Sequence, residues 1–242
     1  MHFTENNTRN TINENREQVS TMLKVLFIGN SHTYLNYMPR MLAALANAGD
    51  RGFELTVDQC TGEGVGLEWH WTNPPSRNAI RKHPWDYVVL QERSGGPLDA
   101  PDSFALHAGL LDGEIRRRGA KTILFLTWAN RSRPETQADL TEAYERTAHK
   151  LDATLAPVGK AWEAIHRVAP AVELHHRDGR HANAAGAYLT ACVFYAVLFD
   201  TSPVGLPASV YIKGKIRPDP DKVRASLLQK TAWETVSSTD CG

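Results

Sequence analysis

A serine, an aspartate and a histidine stand where they could act together on a carbonyl carbon. Ser31 follows an apolar run in Gly29-Asn30-Ser31, and Asp178 precedes His181 by three positions much later in the chain. A carboxylate at that spacing can reach the imidazole, fix its tautomer and leave the second ring nitrogen free to take a proton from a serine hydroxyl. These three residues are typical of acyl transfer through a serine nucleophile.

Each motif also has a simpler interpretation. A serine in the first turn of a helix can be a cap, and the stretch "HHRDGRH" is typical of a polar surface loop. Metal binding is the third interpretation of that stretch, and zinc sites need three or four defined ligands. No partner cluster occurs elsewhere in the sequence, so we predict no metal site. The residues that would form such a metal site are His175, His176, Asp178 and His181.

Other polar and aromatic residues follow the apolar runs. The loop with Gly62, Gly64 and Gly66 could bring a backbone N–H close to a ligand, although it lacks the spacing of a dinucleotide fingerprint. Gln91 follows the next run, and its amide can donate two hydrogen bonds. Trp128 follows a further apolar run, and its ring could form a pocket wall or pack in the core. Each of these features alone would be an ordinary loop or core feature.

Five apolar runs bounded by turn residues predict strands, and amphipathic segments between them predict helices. This alternation predicts a three-layer α/β/α fold with a flavodoxin-like parallel sheet of order 2-1-3-4-5, in which ligands bind beyond the carboxyl ends of the strands. The residues named above should therefore gather at one sheet edge. The predicted strands are Lys24–Ile28, Glu54–Asp58, Asp86–Leu90, Lys121–Leu126 and, more weakly, Thr154–Pro157. The predicted helices are Pro39–Asn47, Asp102–Arg118, Pro134–Leu151, Ala182–Leu198 and residues 219–236.

Composition narrows the class of protein. The 242 residues are 42% hydrophobic and 22% charged, which predicts a soluble protein with a polar tail over residues 1–20 and one domain over 21–242. A net charge of zero gives no bulk attraction to nucleic acid or to anionic membranes, so neither is expected as a partner. Cys60, Cys192 and Cys241 lack redox or metal spacing, and the first 20 residues lack a signal peptide's apolar core. Both observations favour a cytoplasmic location.

Taken together, the motifs resemble those of the SGNH hydrolase superfamily, the GDSL-like serine esterases. Gly29-Asn30-Ser31 stands where the family usually has Gly-Asp-Ser, and Asp178-Gly179-Arg180-His181 matches its Asp-x-x-His block. The stretches "VVLQE" and "HW" are similar to a little-characterised bacterial branch. The resemblance covers residues 23 to 205. An α/β-hydrolase is disfavoured because the serine lacks the second glycine of G-x-S-x-G.

The resemblance implies roles for individual residues. Ser31, His181 and Asp178 would be the catalytic triad, and Ser31 and Gly64 would offer backbone N–H groups to an oxyanion, with Gly62 as the alternative. The family's Gly-x-Asn-Asp is absent, so Gln91 would replace its asparagine as the third donor. The remaining expected pocket residues are His32, His70, Trp71, Trp128 and Arg93.

The resemblance also implies an activity. We expect a serine esterase acting on a small-molecule ester, such as an O-acetyl group on carbohydrate, without a cofactor. The alternatives are an acyltransferase or thioesterase with the same triad, and a non-catalytic carbohydrate-binding protein. A flavin or nucleotide binder is a further alternative, although residues 29–33 have little of the glycine content of a phosphate loop.

Overall fold

Five parallel strands form the central sheet: β1 (Thr21–Gly29), β2 (Phe53–Thr61), β3 (Tyr87–Leu90), β4 (Lys121–Phe125) and β5 (Thr154–Ala156). The computed structural model describes residues 21–49, 51–217 and 222–239. The strand order is β2-β1-β3-β4-β5, which confirms the predicted flavodoxin-like sheet. A separate antiparallel hairpin consists of β6 (Val210–Ile212) and β7 (Lys215–Arg217).

Helices cover both faces of the parallel sheet. The helices are α1 (Ser31–Tyr34), α2 (Met38–Ala48), α3 (Leu67–Thr72), α4 (Pro74–Lys82), α5 (Gly96–Asp99), α6 (Pro101–Arg116), α7 (Gln137–Leu151), α8 (Val158–Val168), α9 (Ala184–Phe199) and α10 (Lys222–Thr239). One face of the sheet packs against α2, α8, α9 and α10, and the other against α3, α4, α6 and α7. This confirms the three-layer α/β/α architecture.

Strand β1 lies in the middle of the sheet and is buried on both sides. Phe27 belongs to one core and Ile28 to the other, which explains an apolar run without alternation. The register pairs Ile28 with Leu90 of β3 and the last residue of β1 with Thr61 of β2. The loops that follow these three strands therefore start side by side at one sheet edge.

Several element boundaries differ from the sequence prediction. The predicted helix Pro134–Leu151 is divided into a 3₁₀ turn at Pro134–Thr136 and α7. Helix α9 starts at Ala184 because Asn183 is its cap, accepting from the backbone N–H groups of the first turn. Helix α8 and the β6–β7 hairpin were not predicted.

Some predictions concern residues that the structure does not describe. The tail over residues 1–20, Cys241 and the start of the C-terminal helix at residue 219 lie outside the described residues. The part of this helix that is described, α10, extends three residues beyond the predicted end at 236. Among the described helices, none is both long enough and apolar enough to cross a membrane.

Candidate active site

The turn after β1, residues 29–33, is fixed by hydrogen bonds and is called here the Ser31 turn. The Asn30 side chain accepts from the His32 N–H at 3.1 Å, as a helix cap does, and its amide donates to the Val65 carbonyl at 2.8 Å. Gly29 has no room for a side chain, because a Cβ would collide with Gln91 and Thr33. The turn is thus tied to the glycine loop that follows β2.

The structure brings the three residues of the predicted triad together. The Ser31 Oγ lies 2.8 Å from His181 Nε2 although the two are 150 positions apart. His181 Nδ1 lies 2.7 Å from Asp178 Oδ2. An Nδ1–H donating to this carboxylate leaves Nε2 able to accept the serine proton, which is the arrangement a serine nucleophile needs.

The carboxylate of Asp178 also organises its own turn, residues 178–181, called here the Asp178–His181 turn. Its Oδ1 accepts from the backbone N–H groups of Arg180 at 2.8 Å and His181 at 3.0 Å. Burial would raise the pKa of Asp178, but these bonds and the bond from the His181 ring outweigh it and hold the pKa well below its usual range. The group is therefore an ionised carboxylate at neutral pH.

The loop after β4 supports the Asp178–His181 turn from behind. The backbone N–H of Arg131 donates to the Gly179 carbonyl at 2.9 Å. The Trp128 indole N–H donates to the Arg180 carbonyl at 2.8 Å. The Arg131 guanidinium also pairs with Glu173 at 2.8 Å. Sequence analysis missed Arg131, since nothing in its local pattern marks a contact with residues almost fifty positions later.

A cleft of about 480 Å³ opens above Ser31 and His181. Among the three loop glycines, Gly64 is the one that lines it, with φ of +64° and open space where a Cβ would stand. Gly62 instead packs against Val65, and Gly66 against Glu92. The cleft residues are Asn30, Ser31, His32, Tyr34, Leu35, Glu63, Gly64, Arg93, Ser94, Arg180 and His181.

Solved structures with this architecture include a DUF4886 family protein from Bacteroides uniformis. It is 20% identical over 90% of this chain and 96% of its own, with a TM-score of 0.75. A protein from Slackia heliotrinireducens assigned provisionally to the SGNH hydrolases is 29% identical over 74% of this chain and 100% of its own, with a TM-score of 0.63. The chain has the fold of the SGNH hydrolases.

A variant of an acetylxylan esterase from Geobacillus stearothermophilus is also similar. It is 13% identical over 75% of this chain and 96% of its own, with a TM-score of 0.60. No family model and no curated protein matches the sequence. The SGNH likeness therefore rests on structure, and it confirms the resemblance inferred from the sequence motifs.

Gln91 departs from the role expected in an SGNH fold. Its side chain is fully buried beneath the Ser31 turn, where Oε1 accepts from the Asn30 N–H at 2.8 Å and from the Thr33 hydroxyl at 2.9 Å. Its Nε2 donates to the Glu92 carbonyl. The amide is thus used in holding the turn and does not point into the cleft, which corrects its assignment as an oxyanion donor.

Glu92 is a supporting residue of the candidate site that sequence analysis did not identify. Its buried carboxylate accepts from the backbone N–H groups of Leu67 at 2.9 Å and Arg93 at 2.8 Å. A Cβ at Gly66 or Gly96 would collide with this carboxylate. Burial raises the pKa of Glu92. The side chain joins the loops that carry Gly64 and Arg93. The sequence feature that could have indicated this role is the carboxylate next to Gln91 in "VVLQE".

Two aromatic residues expected in the pocket lie elsewhere. His70 is fully buried, where its Nε2–H donates to the Gly29 carbonyl at 2.9 Å and its Nδ1 lies 2.7 Å from the Ser76 hydroxyl. Burial lowers the pKa of His70 to about 4, so the ring is neutral at pH 7. Trp71 is half-buried and packs against the core below, with the Arg77 guanidinium 5.0 Å from its ring. Both residues support the site without lining it.

His32 and Trp128 form the wall behind the predicted triad. The His32 ring centroid is 5.4 Å from that of His181 and 5.0 Å from that of Trp128. Burial, and then the neighbouring His181, lower the pKa of His32 to about 3, so this ring is also neutral. Trp128 is buried and stacked on Trp162 at 3.9 Å. Of the expected pocket residues, His32 and Arg93 line the cleft and Trp128 lies behind it.

The three histidines of the 175–181 segment do not share one direction. His176 and His181 both place Nδ1 near Asp178 Oδ2, at 3.3 Å and 2.7 Å. His175 turns inward and its Nε2–H donates to the Ala129 carbonyl at 3.1 Å, whereas His181 faces Ser31. Within the described part of the chain, no group of three or more histidine, cysteine or acidic side chains could hold a metal ion.

Proposed function

We propose that the protein hydrolyses carboxylic esters through an acyl-serine intermediate. The observation that supports this most directly is the continuous hydrogen-bond chain from Ser31 through His181 to Asp178 at the mouth of the cleft. Such a chain activates a hydroxyl that is otherwise a weak nucleophile.

Acylation would begin when the Ser31 oxygen attacks the ester carbonyl carbon. His181 Nε2 takes the serine proton as the new C–O bond forms, and the ionised Asp178 stabilises the imidazolium. His181 then gives this proton to the leaving alkoxide, which departs as an alcohol. Water repeats the sequence on the acyl-serine, releasing a carboxylic acid and restoring the serine.

The oxyanion that forms during attack would be bound by backbone N–H groups of Ser31 and Gly64. Ser31 is the first residue of α1, so its N–H has no acceptor within that helix. Gly64 lines the same cleft with open space around its α-carbon. The loss of one oxyanion donor typically lowers turnover by about 100- to 1,000-fold.

The cleft favours a small ester with a polar alcohol part. Arg93, Arg180 and Glu63 line it together with Ser31, so hydroxyl groups of an alcohol would find both donors and acceptors there. An O-acetyl group on carbohydrate fits this description, and one of the structural neighbours is an acetylxylan esterase by name.

A fluorophosphonate probe tests the proposal. We expect one covalent adduct, mapped to Ser31 by peptide mass spectrometry, and none in Ser31→Ala. His181→Ala should slow labelling strongly, whereas Ser94→Ala, a serine in the same cleft, should label as the wild type does. Labelling that persists in Ser31→Ala would disprove the proposal. Acetylated sugars and short acyl esters would then define the substrate.

A further inference from the structure

A second cleft, of about 370 Å³, lies beside the candidate active site and is called here the side cleft. Its lining includes Gly66, Glu68, Trp69, Arg93 and Ser103. The acyl-transfer steps described above use none of these side chains.

The side cleft adjoins the cleft above Ser31. Arg93 lines both clefts, and the same glycine loop borders both, with Gly64 in the cleft above Ser31 and Gly66 in the side cleft. Two residues of chain span at most about 7 Å, so the α-carbons of these two glycines are no farther apart than that. An ester held at Ser31 therefore has a short path past Arg93 into the side cleft.

Trp69 is the exposed tryptophan among the six of the chain, with 38% of its surface accessible. Its ring lies against the glycine loop, since a Cβ built at Gly62 would come 3.5 Å from it. The nearby His70 ring is perpendicular to it, and among the described residues no aromatic ring stacks parallel on it. An indole left in water beside a predicted active site is typical of a surface that a ligand covers.

Polar groups that accept and donate line the same cleft. Glu68 is exposed, and its carboxylate lies 3.4 Å from the Ser103 hydroxyl. The Arg93 guanidinium has more N–H donors than its bond to Asp99 at 3.1 Å uses. Hydroxyl groups of a ligand can pair with both kinds of group, because a hydroxyl donates and accepts.

The charges of the side cleft disfavour an anionic ligand. The carboxylates of Glu68 and Glu92 line it, and Arg93 is already paired with Asp99. A cationic ligand would have to pass the Arg93 guanidinium where the two clefts meet. A neutral ligand with several hydroxyl groups avoids both conflicts.

A pyranose ring has these properties. It is neutral, its rim carries hydroxyl groups, and one of its faces consists of C–H groups that pack on the electron-rich face of an indole. A dry cavity of about 150 Å³ holds a benzene molecule, so the side cleft has room for a sugar ring.

We propose that the side cleft binds a second, neutral sugar ring of an O-acetylated carbohydrate while the ester itself is held at Ser31. The ring stacks on Trp69, and its hydroxyl groups donate to Glu68 and accept from Arg93. The proposal rests on the proposed esterase function, because it assigns the side cleft to the alcohol part of the same substrate.

Two acetate esters that differ in their alcohol part test the proposal. O-Acetylated xylobiose carries a second sugar ring, whereas the single methyl group of methyl acetate does not reach the side cleft. Trp69→Ala should lower kcat/KM on acetylated xylobiose by about tenfold, the factor that corresponds to covering about 60 Å² of apolar ring surface. On methyl acetate kcat/KM should fall much less.

Two further variants complete the comparison. Trp69→Phe keeps an aromatic face and should recover most of the loss on acetylated xylobiose. Tyr211→Ala is the matched control, because Tyr211 is an exposed aromatic residue of β6 that lines neither cleft. It should hydrolyse both esters as the wild type does.

Binding to Ser31→Ala separates this proposal from the esterase proposal. Xylobiose added to the ¹⁵N-labelled variant should shift the Trp69 indole N–H resonance in a saturable way up to about 10 mM, where a ligand with a Kd of about 1 mM is mostly bound. This measurement needs no turnover. Saturable binding in a protein that hydrolyses neither ester would contradict the esterase proposal and support the side cleft as a sugar site.

Three results would overturn the proposal. Equal losses on the two esters in Trp69→Ala would mean that Trp69 holds the glycine loop and does not contact the sugar. The second is the absence of a saturable Trp69 shift with xylobiose. The third is a larger loss in Trp69→Ala on acetylcholine than on acetylated xylobiose, which would assign the side cleft to a cationic alcohol.

Discussion

The two turns that meet at the candidate active site are held in different ways. Side chains buried beneath it hold the Ser31 turn, with Gln91 and His70 both fully buried. The Asp178–His181 turn lies at the surface, where the side chains of Asp178 and His181 are 39% and 29% exposed. Ser31 in a turn held by buried side chains and the Asp178–His181 pair in a surface turn should respond differently to mutation.

The largest expected effect is loss of the nucleophile. Ser31→Ala should lower kcat on a short acyl ester by at least about 10⁴-fold, because no oxygen remains to form the acyl intermediate. Stability should hardly change, since the Ser31 side chain is only partly buried. Ser94→Ala is the control, and a comparable loss in it would show that the cleft has been assigned the wrong serine.

The next effect concerns the exposed turn. Asp178→Asn should lower kcat by about 10³- to 10⁴-fold, because an amide cannot stabilise the His181 imidazolium and does not enforce its tautomer. The free energy of unfolding should change little, because the Asp178 carboxylate is partly exposed to solvent. Asp139→Asn, on the exposed face of α7, should alter neither quantity. Retained turnover in Asp178→Asn would remove Asp178 from the triad.

The buried support should show the opposite behaviour. Gln91→Leu leaves the Asn30 N–H and the Thr33 hydroxyl buried without their acceptor, which should cost about 3 kcal/mol of stability. Chemical denaturation would measure it, with Gln59→Leu on the exposed face of β2 as control. A variant as stable as the wild type would contradict this account of the Ser31 turn.

A fall in pH should lower the stability of the folded protein through His70, which lies beneath the Ser31 turn. Its pKa is lowered to about 4 in the folded protein, so between pH 6.5 and 4 the unfolded chain binds more protons and stability falls as the pH falls. From pH 6.5 to 5 the loss should approach about 2 kcal/mol at most. His70→Gln should reduce the slope of this dependence, and the part that remains comes from other buried histidines such as His32. The exposed His83→Gln is the control. An unchanged slope in His70→Gln would refute the assignment.

The smallest effect tests the support of the exposed turn. Trp128→Phe removes the bond to the Arg180 carbonyl, so kcat should fall several-fold with little change in KM. Trp85→Phe loses an equivalent indole bond, to the Ala79 carbonyl at 2.9 Å, far from the site. Both variants should lose about 1 kcal/mol of stability. Equal kcat in the two variants would mean that Trp128 does not position the turn.

Prediction from sequence succeeded where the signal was local. Apolar runs identified all five strands of the sheet, and their alternation with helices predicted the order β2-β1-β3-β4-β5. The fold rule then placed Ser31 near the later Asp-x-x-His segment, and the structure brings them within hydrogen-bond distance. Their catalytic role stays a prediction until it is tested.

Prediction failed where a side chain's direction depends on distant packing. Gln91 points under the Ser31 turn because Gly29 leaves the space for it, a pairwise fit across two strands that no single segment reveals. His70 lies on the inward face of α3 and bonds to β1, which its neighbours in sequence do not indicate. Helix α8 follows directly on β5, and its start at Val158 was missed after a weak strand.

The carboxylate of Glu92 has a consequence for redesign of the cleft. Since Gly66 and Gly96 both press against it, a side chain at either position would push the anchor out and release two loops at once. Redesign of the cleft should therefore keep these glycines and place changes near Gly64, where there is free space. The Glu92 carboxylate therefore determines which positions beside the cleft can accept a side chain.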